Sequence, residues 1–380
     1  MKRIIALTLM LALLLCGCGG IKEPASQDNP AAPETAEAPT LAPTEATTEP
    51  TTVPTTEPIV YFDPLNGEIL EAPYDGRIFA STVANENDPA IPHVNVQKAD
   101  ILIEAFVNNS KTRCLALFSQ PDDVEAIGST RSTRIMFNDI VQHYNAILSH
   151  AGGSSACLGD AKDRGIVNYN VDSLMRQGDP LMQGTAYRDK DHPKIKYGDA
   201  NLYAILPGVK AYAESQGVPV SGMPETDYGL LFTEDGAPSG EDAASIQIQM
   251  VCGKSKKDTT MVYNAELDKY VFNQYGKEMH ELFTEEPEAF QNVVIMQYTP
   301  KPDVHFSGAV YYEADFVAGG TGYYANGGKL IPMVWSCESE ESPFRFFHED
   351  GTPLAFGQGN TYINLCTPES TITWGEPAAN

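Results

Sequence analysis

The chain has 380 residues, with 51 acidic against 25 basic side chains and a formal net charge of −26, most of it beyond residue 58. A body this acidic, without a basic stripe, argues against nucleic acid as a partner and against electrostatic adsorption to an anionic lipid surface. With about 320 residues beyond the N-terminal segments, it is long enough for two cores.

The first elements concern export. "MKRIIALTLMLALLL" sets Lys2 and Arg3 before an apolar run of signal-peptide length, too short for a comfortable membrane span. Of the two cysteines that follow, Cys18 has Leu15 three residues before it and Gly17 directly before it, whereas Cys16 follows the bulky Leu15. Residues 1–17 therefore read as a lipoprotein signal and Cys18 as the lipidated residue, held at the extracytoplasmic face of the cell membrane by palmitate-type acyl chains. Residues 18–58 carry eight prolines and seven acidic side chains with almost no large apolar group, the composition of an extended, disordered stalk.

The body divides into an α/β (or α+β) domain over 59–232, a Gly- and Pro-bearing linker over 233–245 and a mainly antiparallel β domain over 246–380. "RIFASTVAN" reads as a strand, and "ADILIEAFV" and "TRCLALF" as a hairpin around Asn-Asn-Ser-Lys. Met136, Phe137, Ile140, Val141 and Tyr144 recur at helical spacing, with Ser132 as the expected N-cap. "AILSHA" reads as a strand running into Gly152 and Gly153, and "NLYAILPGVKAYAESQ" as a helix kinked or divided at Pro207. Beyond residue 245, short β-type runs such as "SIQIQMVC", "NVVIMQY" and "TYINLCT" alternate with turns.

Several stretches together resemble the YerB-like lipoprotein family, built on a domain of unknown function: "PLNG", "ADILIEAFV…TRCLALF", "IGSTRSTR", "HAGGS", "YRDKDH…NLYA", "YNAELDKY" and "GTGYYANGGKLIPMVWS…DGTPLAFGQGNTYINL". The resemblance covers about Asp63 to Pro368. It implies an exported, usually lipid-anchored protein with an N-terminal α/β domain and a C-terminal β-rich domain, and it implies no catalytic activity. Members tend to carry a His directly before Asn-Leu-Tyr, where this chain has Ala200.

The candidate site centres on "GSTRSTR". Arg131 and Arg134, with Ser129 and Ser132, can clamp a carboxylate or phosphate at a helix start. Alternatively they pair with Glu104, Asp139 or another acid and fix the hairpin to the helix. His150, Gly152 and Gly153 lie at a strand's carboxyl end, where open α/β sheets place ligands, and His150 reads equally as a satisfied structural histidine. Arg188 in "YRDKDH" can add a third cation or simply pair with Asp189 or Asp191, and Asn201 completes the set. "SHAGGSSAC" departs from the Ser-His-Gly-Cys pattern of cysteine transpeptidases, and neither GxSxG, HExxH nor a Walker loop occurs. Seven histidines form no close ligand pair, so neither metal nor cofactor is expected. Tyr311, Tyr312, Tyr323, Tyr324 and Trp335 read as core plus ordinary surface in preference to a sugar-binding face. Five cysteines remain after processing, with no obligatory disulfide framework, although Cys337 and Cys366 can pair if their strands adjoin. The expected role is a non-catalytic protein binding an anionic small ligand or an envelope partner. The alternatives are a hydrolase or transferase using Arg131, Arg134 and His150 on envelope material, and a structural assembly factor.

Overall fold

The computed structural model describes residues 60–86, 93–108, 111–192, 200–302 and 312–377. The signal, Cys18 and the stalk lie outside the described residues, as do the hairpin turn at 109–110, His305 and Tyr311. No helix among the described residues is long and apolar enough to cross a membrane.

β1 (Phe79–Asn85), β2 (Ile101–Asn108) and β3 (Lys111–Phe118) come first. A short β4 (Ile127–Gly128) precedes helix α1 (Ile135–His143), β5 (Ile147–His150), helix α2 (Ser155–Asp163) and β6 (Asn168–Asn170). β7 (Ala186–Arg188), β8 (Leu202–Ala204) and helix α3 (Leu206–Ser215) complete the first half. The second half supplies β9 (Ser245–Cys252), β10 (Ser255–Asn264), β11 (Lys269–Gln274), β12 (Asn292–Gln297) and β13 (Gly320–Asn326). It closes with β14 (Lys329–Ser336), β15 (Thr361–Cys366) and β16 (Thr371–Gly375).

The two halves share one 11-stranded sheet, whose order includes β14-β13-β12-β15-β2-β3-β1-β5-β6. Its seam is the parallel pairing of β15 with β2, from Thr361 opposite Ile101 to Leu365 opposite Ala105. β12 also runs parallel to β15, and β5 parallel to both β1 and β6, so the sheet is mixed. The expectation of a mainly antiparallel second half holds for the second sheet, where β16, β9, β10 and β11 are antiparallel neighbours. Residues 233–245 are not simply a crossing, because Glu241–Asp242 adds to the large sheet beside β14.

β2 is buried on both faces, which is why "ILIEAFV" reads as a continuous apolar run. Ile101, Ile103 and Ala105 pack with Met136, Phe137 and Ile140 of α1. Leu102 and Phe106, from the other face, belong to the core formed with Ile246, Ile248 and Met261 of the second sheet. Between the sheets, Glu104 of β2 forms an ion pair with Lys257 of β10, their side chains 0 % and 1 % exposed. Asn85 Nδ2 at 2.8 Å, Thr112 Oγ1 at 2.6 Å and the Tyr362 hydroxyl also donate to the Glu104 carboxylate.

Two local expectations are corrected. The N-cap of α1 is Arg134, not Ser132, whose hydroxyl donates to the Ala151 carbonyl 2.9 Å away. Pro207 does not kink a helix that begins at Asn201: β8 comes first, and Pro207 sits in the first turn of α3, where its missing N–H costs nothing. Tyr324 and Trp335 are buried core residues. Cys114, Cys157, Cys252, Cys337 and Cys366 are free and buried. Cys337 follows β14, which β13 and β12 separate from β15, so the conditional pairing with Cys366 does not arise.

The "DPLNG" segment is clasped to the end of β3. Ser119 Oγ lies 2.5 Å from Asp63 Oδ2 and 2.9 Å from Asp100 Oδ2, and its single proton can serve only one of them. Burial, then the neighbouring Asp63, pushes the Asp100 carboxyl up to about 6. A raised folded-state value stabilises the protein below the unfolded value of about 3.9 and loses that contribution as pH climbs through the folded one. Urea titrations between pH ~4 and ~6 are therefore expected to show the wild type losing stability relative to Asp100→Asn, which cannot titrate.

Candidate functional site

β1, β5 and β6 run parallel and end at the same rim of the sheet. Because β5 pairs only with Phe79–Ser81, the rest of that edge of β1 is open to another segment. Residues 129–131 fill it in extended form: Ala84 N–H donates to Ser129 O, and Arg131 N–H donates to Thr82 O. The Ala151 N–H, just past the end of β5, donates to Arg131 O. This lacing carries Arg131 to the rim where the three strands stop.

A cavity of about 410 Å³ opens there, lined by Glu86, Lys111, Arg113, Thr130, Arg131, Ser132, Ala151, Asp172, Arg188 and Leu202. Glu86 follows β1, Ala151 follows β5 and Asp172 lies in the single helical turn after β6, while Lys111 and Arg113 open β3. Among the described residues, four cations thus line the cavity against two carboxylates in a protein of opposite overall charge.

The acids are engaged. Lys111 Nζ is 2.8 Å from Glu86 Oε2. Arg188 Nη2 is 2.6 Å and Arg176 Nη2 2.8 Å from Asp172 Oδ1. Burial acts to raise the Asp172 carboxyl, and the two guanidiniums outweigh it, leaving its pKa below the ordinary value. Arg113 donates through Nη1 to the Ser132 carbonyl. Arg131 is half-buried, and its buried Nε has no hydrogen-bond partner among the described residues.

Of the residues expected from the sequence, Arg131, Ser132 and Arg188 line the cavity. Asn201 stands behind it, accepting from Arg188 Nη1 at 2.9 Å and so steadying that guanidinium. Ser129 is fully buried and donates to the Ala200 carbonyl. Arg134 turns back on its own chain, Nη1 donating to Thr133 O at 2.7 Å. Gly152 takes the positive φ of 84° that turns the chain after β5, and neither it nor Gly153 lines the cavity.

His150 is 1 % exposed, with Nδ1 2.8 Å from Gly152 O and Nε2 3.1 Å from Asn168 Oδ1. Burial lowers its pKa against the opposing pull of those two contacts. Lodged in this way it is a structural histidine, without the access that acid–base catalysis needs. His150→Gln is expected to cost roughly 1–3 kcal/mol in urea unfolding, from the buried polar partners it leaves, and to leave ligand affinity unchanged in calorimetry. The cavity residues the sequence reading missed are Glu86, Lys111, Arg113, Thr130, Ala151, Asp172 and Leu202; an arginine inside the otherwise apolar run "TRCLALF" was the available signal.

One cysteine–histidine approach exists elsewhere, Cys337 Sγ 3.9 Å from His143 Nε2. Burial pushes the thiol up to about 11 and the imidazole down to about 4, so the pair is neutral and holds no thiolate nucleophile. No cluster of three or more metal-ligating side chains occurs among the described residues.

Comparison with known proteins follows this architecture. The "Protein of unknown function (DUF3048)" N-terminal domain matches residues 66–219, and the C-terminal domain of the same name matches 247–363. The chain belongs to the YerB-like lipoprotein family. It is 27 % identical over 305 residues to the provisionally named lipoprotein YerB of Bacillus subtilis (strain 168), covering 80 % of this chain and 85 % of that protein. The crystal structure of Bacillus subtilis YerB superposes with a TM-score of 0.66 at 23 % identity, over 82 % of this chain and 99 % of the other, a likeness of fold. The family match spans both halves that share the large sheet, and the cavity-lining residues Glu86 through Leu202 all fall within the N-terminal match.

Proposed function

We propose that this YerB-like protein is a lipid-anchored, extracytoplasmic binding protein that takes up a small anion at the rim of its large sheet and performs no catalysis on it. The reading rests above all on one observation: a cavity that, among the described residues, has four cationic side chains against two carboxylates, within a chain of net charge −26. Such a site concentrates anions locally against the repulsion of the whole, and guanidinium forks suit carboxylate and phosphate alike. The burial of His150 and its engaged nitrogens speak against the hydrolase or transferase alternative. Anchoring through Cys18 draws on the signal-like N-terminus and on the lipoprotein name of the Bacillus relative.

The test is a melting-shift screen of the full chain in detergent against phosphate, phosphate esters and carboxylates. An anion that binds only the folded state at a hundredfold its Kd stabilises by about 2.7 kcal/mol. A concentration-dependent rise in Tm that fades with salt is the expected result. No shift with any anion would overturn the proposal.

A further inference from the structure

The buried polar network between the two sheets brings together an amine, a carboxamide and a carboxylate. We infer that Lys257 and Asn85 condense to an amide cross-link between β10 and β1, with Glu104 as the proton carrier and ammonia as the leaving molecule. Lys257 Nζ and Asn85 Nδ2 both donate to one atom, Glu104 Oε1, the second of them at 2.8 Å. A shared acceptor holds amine and carboxamide side by side, which turns a bimolecular condensation into an intramolecular one. Gln274 Nε2 donates to Asn85 Oδ1 at 2.5 Å, where negative charge develops when a nucleophile adds to the carbonyl. Lys257 Nζ also donates to Thr259 Oγ1 at 2.7 Å, a second contact that positions the amine.

Burial favours the reaction. Asn85, Glu104, Lys257 and Gln274 are each at most 3 % exposed, and the rings of Phe272 and Tyr275 are centred 5.5 and 5.3 Å from Nζ. In such surroundings both charges of the ion pair are penalised, so passing a proton from Nζ to Oε1 costs far less than in water. The lone pair freed on Nζ adds to Asn85 Cγ and forms the new bond. Glu104 then hands its proton to Nδ2 and takes a second one from Nζ, and the Cγ–Nδ2 bond breaks as ammonia leaves. Glu104 ends as the neutral acid, so no charge is left between the sheets, and no oxidant or reductant takes part. The freshly folded chain carries the ion pair; the aged chain carries the amide. The bond ties the first half of the large sheet to the second sheet, a covalent constraint that the free cysteines do not provide.

The experiment is intact-mass measurement of the full chain in detergent, fresh and after prolonged warming at neutral pH, followed by tryptic mapping. Loss of one ammonia, about 17 Da, is expected to accumulate in the warmed sample. The map is expected to show a branched peptide joining residues 78–98 to residues 257–269 through Asn85 and Lys257. An unchanged mass would overturn the inference, and so would a loss of ammonia with Lys257 in an unbranched peptide, which places the loss at another amide. Glu104→Gln is expected to stay uncross-linked, and cross-linking at the wild-type rate in that variant would overturn the role given to Glu104. Where the variant does not fold, the wild-type map alone decides whether the bond forms.

Discussion

Lys257→Ala is expected to destabilise the folded body by about 3–5 kcal/mol, read from urea unfolding midpoints at neutral pH. The ammonium is 1 % exposed and is the ion-pair partner of the fully buried Glu104 carboxylate. Removing it leaves a charge between two sheets with only neutral donors around it, and hydrogen bonds from Asn85, Thr112 and Tyr362 do not replace a counter-ion. Burial acts to raise the Glu104 carboxyl, and Lys257 together with the hydrogen bonds overcomes it, so the folded value lies below the ordinary one. That contribution is present above the unfolded value and is lost as pH falls through the depressed folded value. In the variant the carboxyl loses its main counter-charge, so the stability gap to wild type should close on acidification. A cost under about 1 kcal/mol would mean that the pair is solvated or rearranged, which its burial contradicts.

Arg131→Ala is expected to lower anion affinity by at least tenfold, with Arg134→Ala leaving it unchanged. A hydrogen bond to a charged group contributes about 1.5–3 kcal/mol, which corresponds to factors of roughly ten to over a hundred. The two arginines stand three apart in one motif and look equivalent in sequence. They differ because residues 129–131 lie along β1 as an extended segment, which delivers Arg131 to the cavity, while Arg134 begins the helix and donates to the carbonyl of Thr133. Calorimetry on both variants separates the effects; equal losses would contradict the placement.

Elements with local periodicity were legible. The hairpin of β2 and β3 follows from two apolar runs around a polar turn, and α1 from Met136, Phe137, Ile140 and Val141 at helical spacing. The start of α1 was misread because Ser132 has the chemistry of an N-cap and no local sign that its hydroxyl is committed to Ala151, on a different strand end. The shared sheet was not legible, since β15 meets β2 some 260 residues earlier in the chain, and strand partners at that separation leave no periodic trace. The cavity was half legible for the same reason. Arg131 stood out with Arg134 in "GSTRSTR" and Arg188 as a third cation in "YRDKDH", whereas Arg113 sat in an apolar strand and Asp172 acquires its role only by meeting Arg188 across the rim.

A crystal structure of the chain grown with phosphate present tests the central claim most directly. An anion in contact with the Arg131 guanidinium, inside the cavity bounded by Arg113 and Arg188, is the expected result. A cavity empty of anion, with Arg131 closed onto a carboxylate of its own chain, would contradict it.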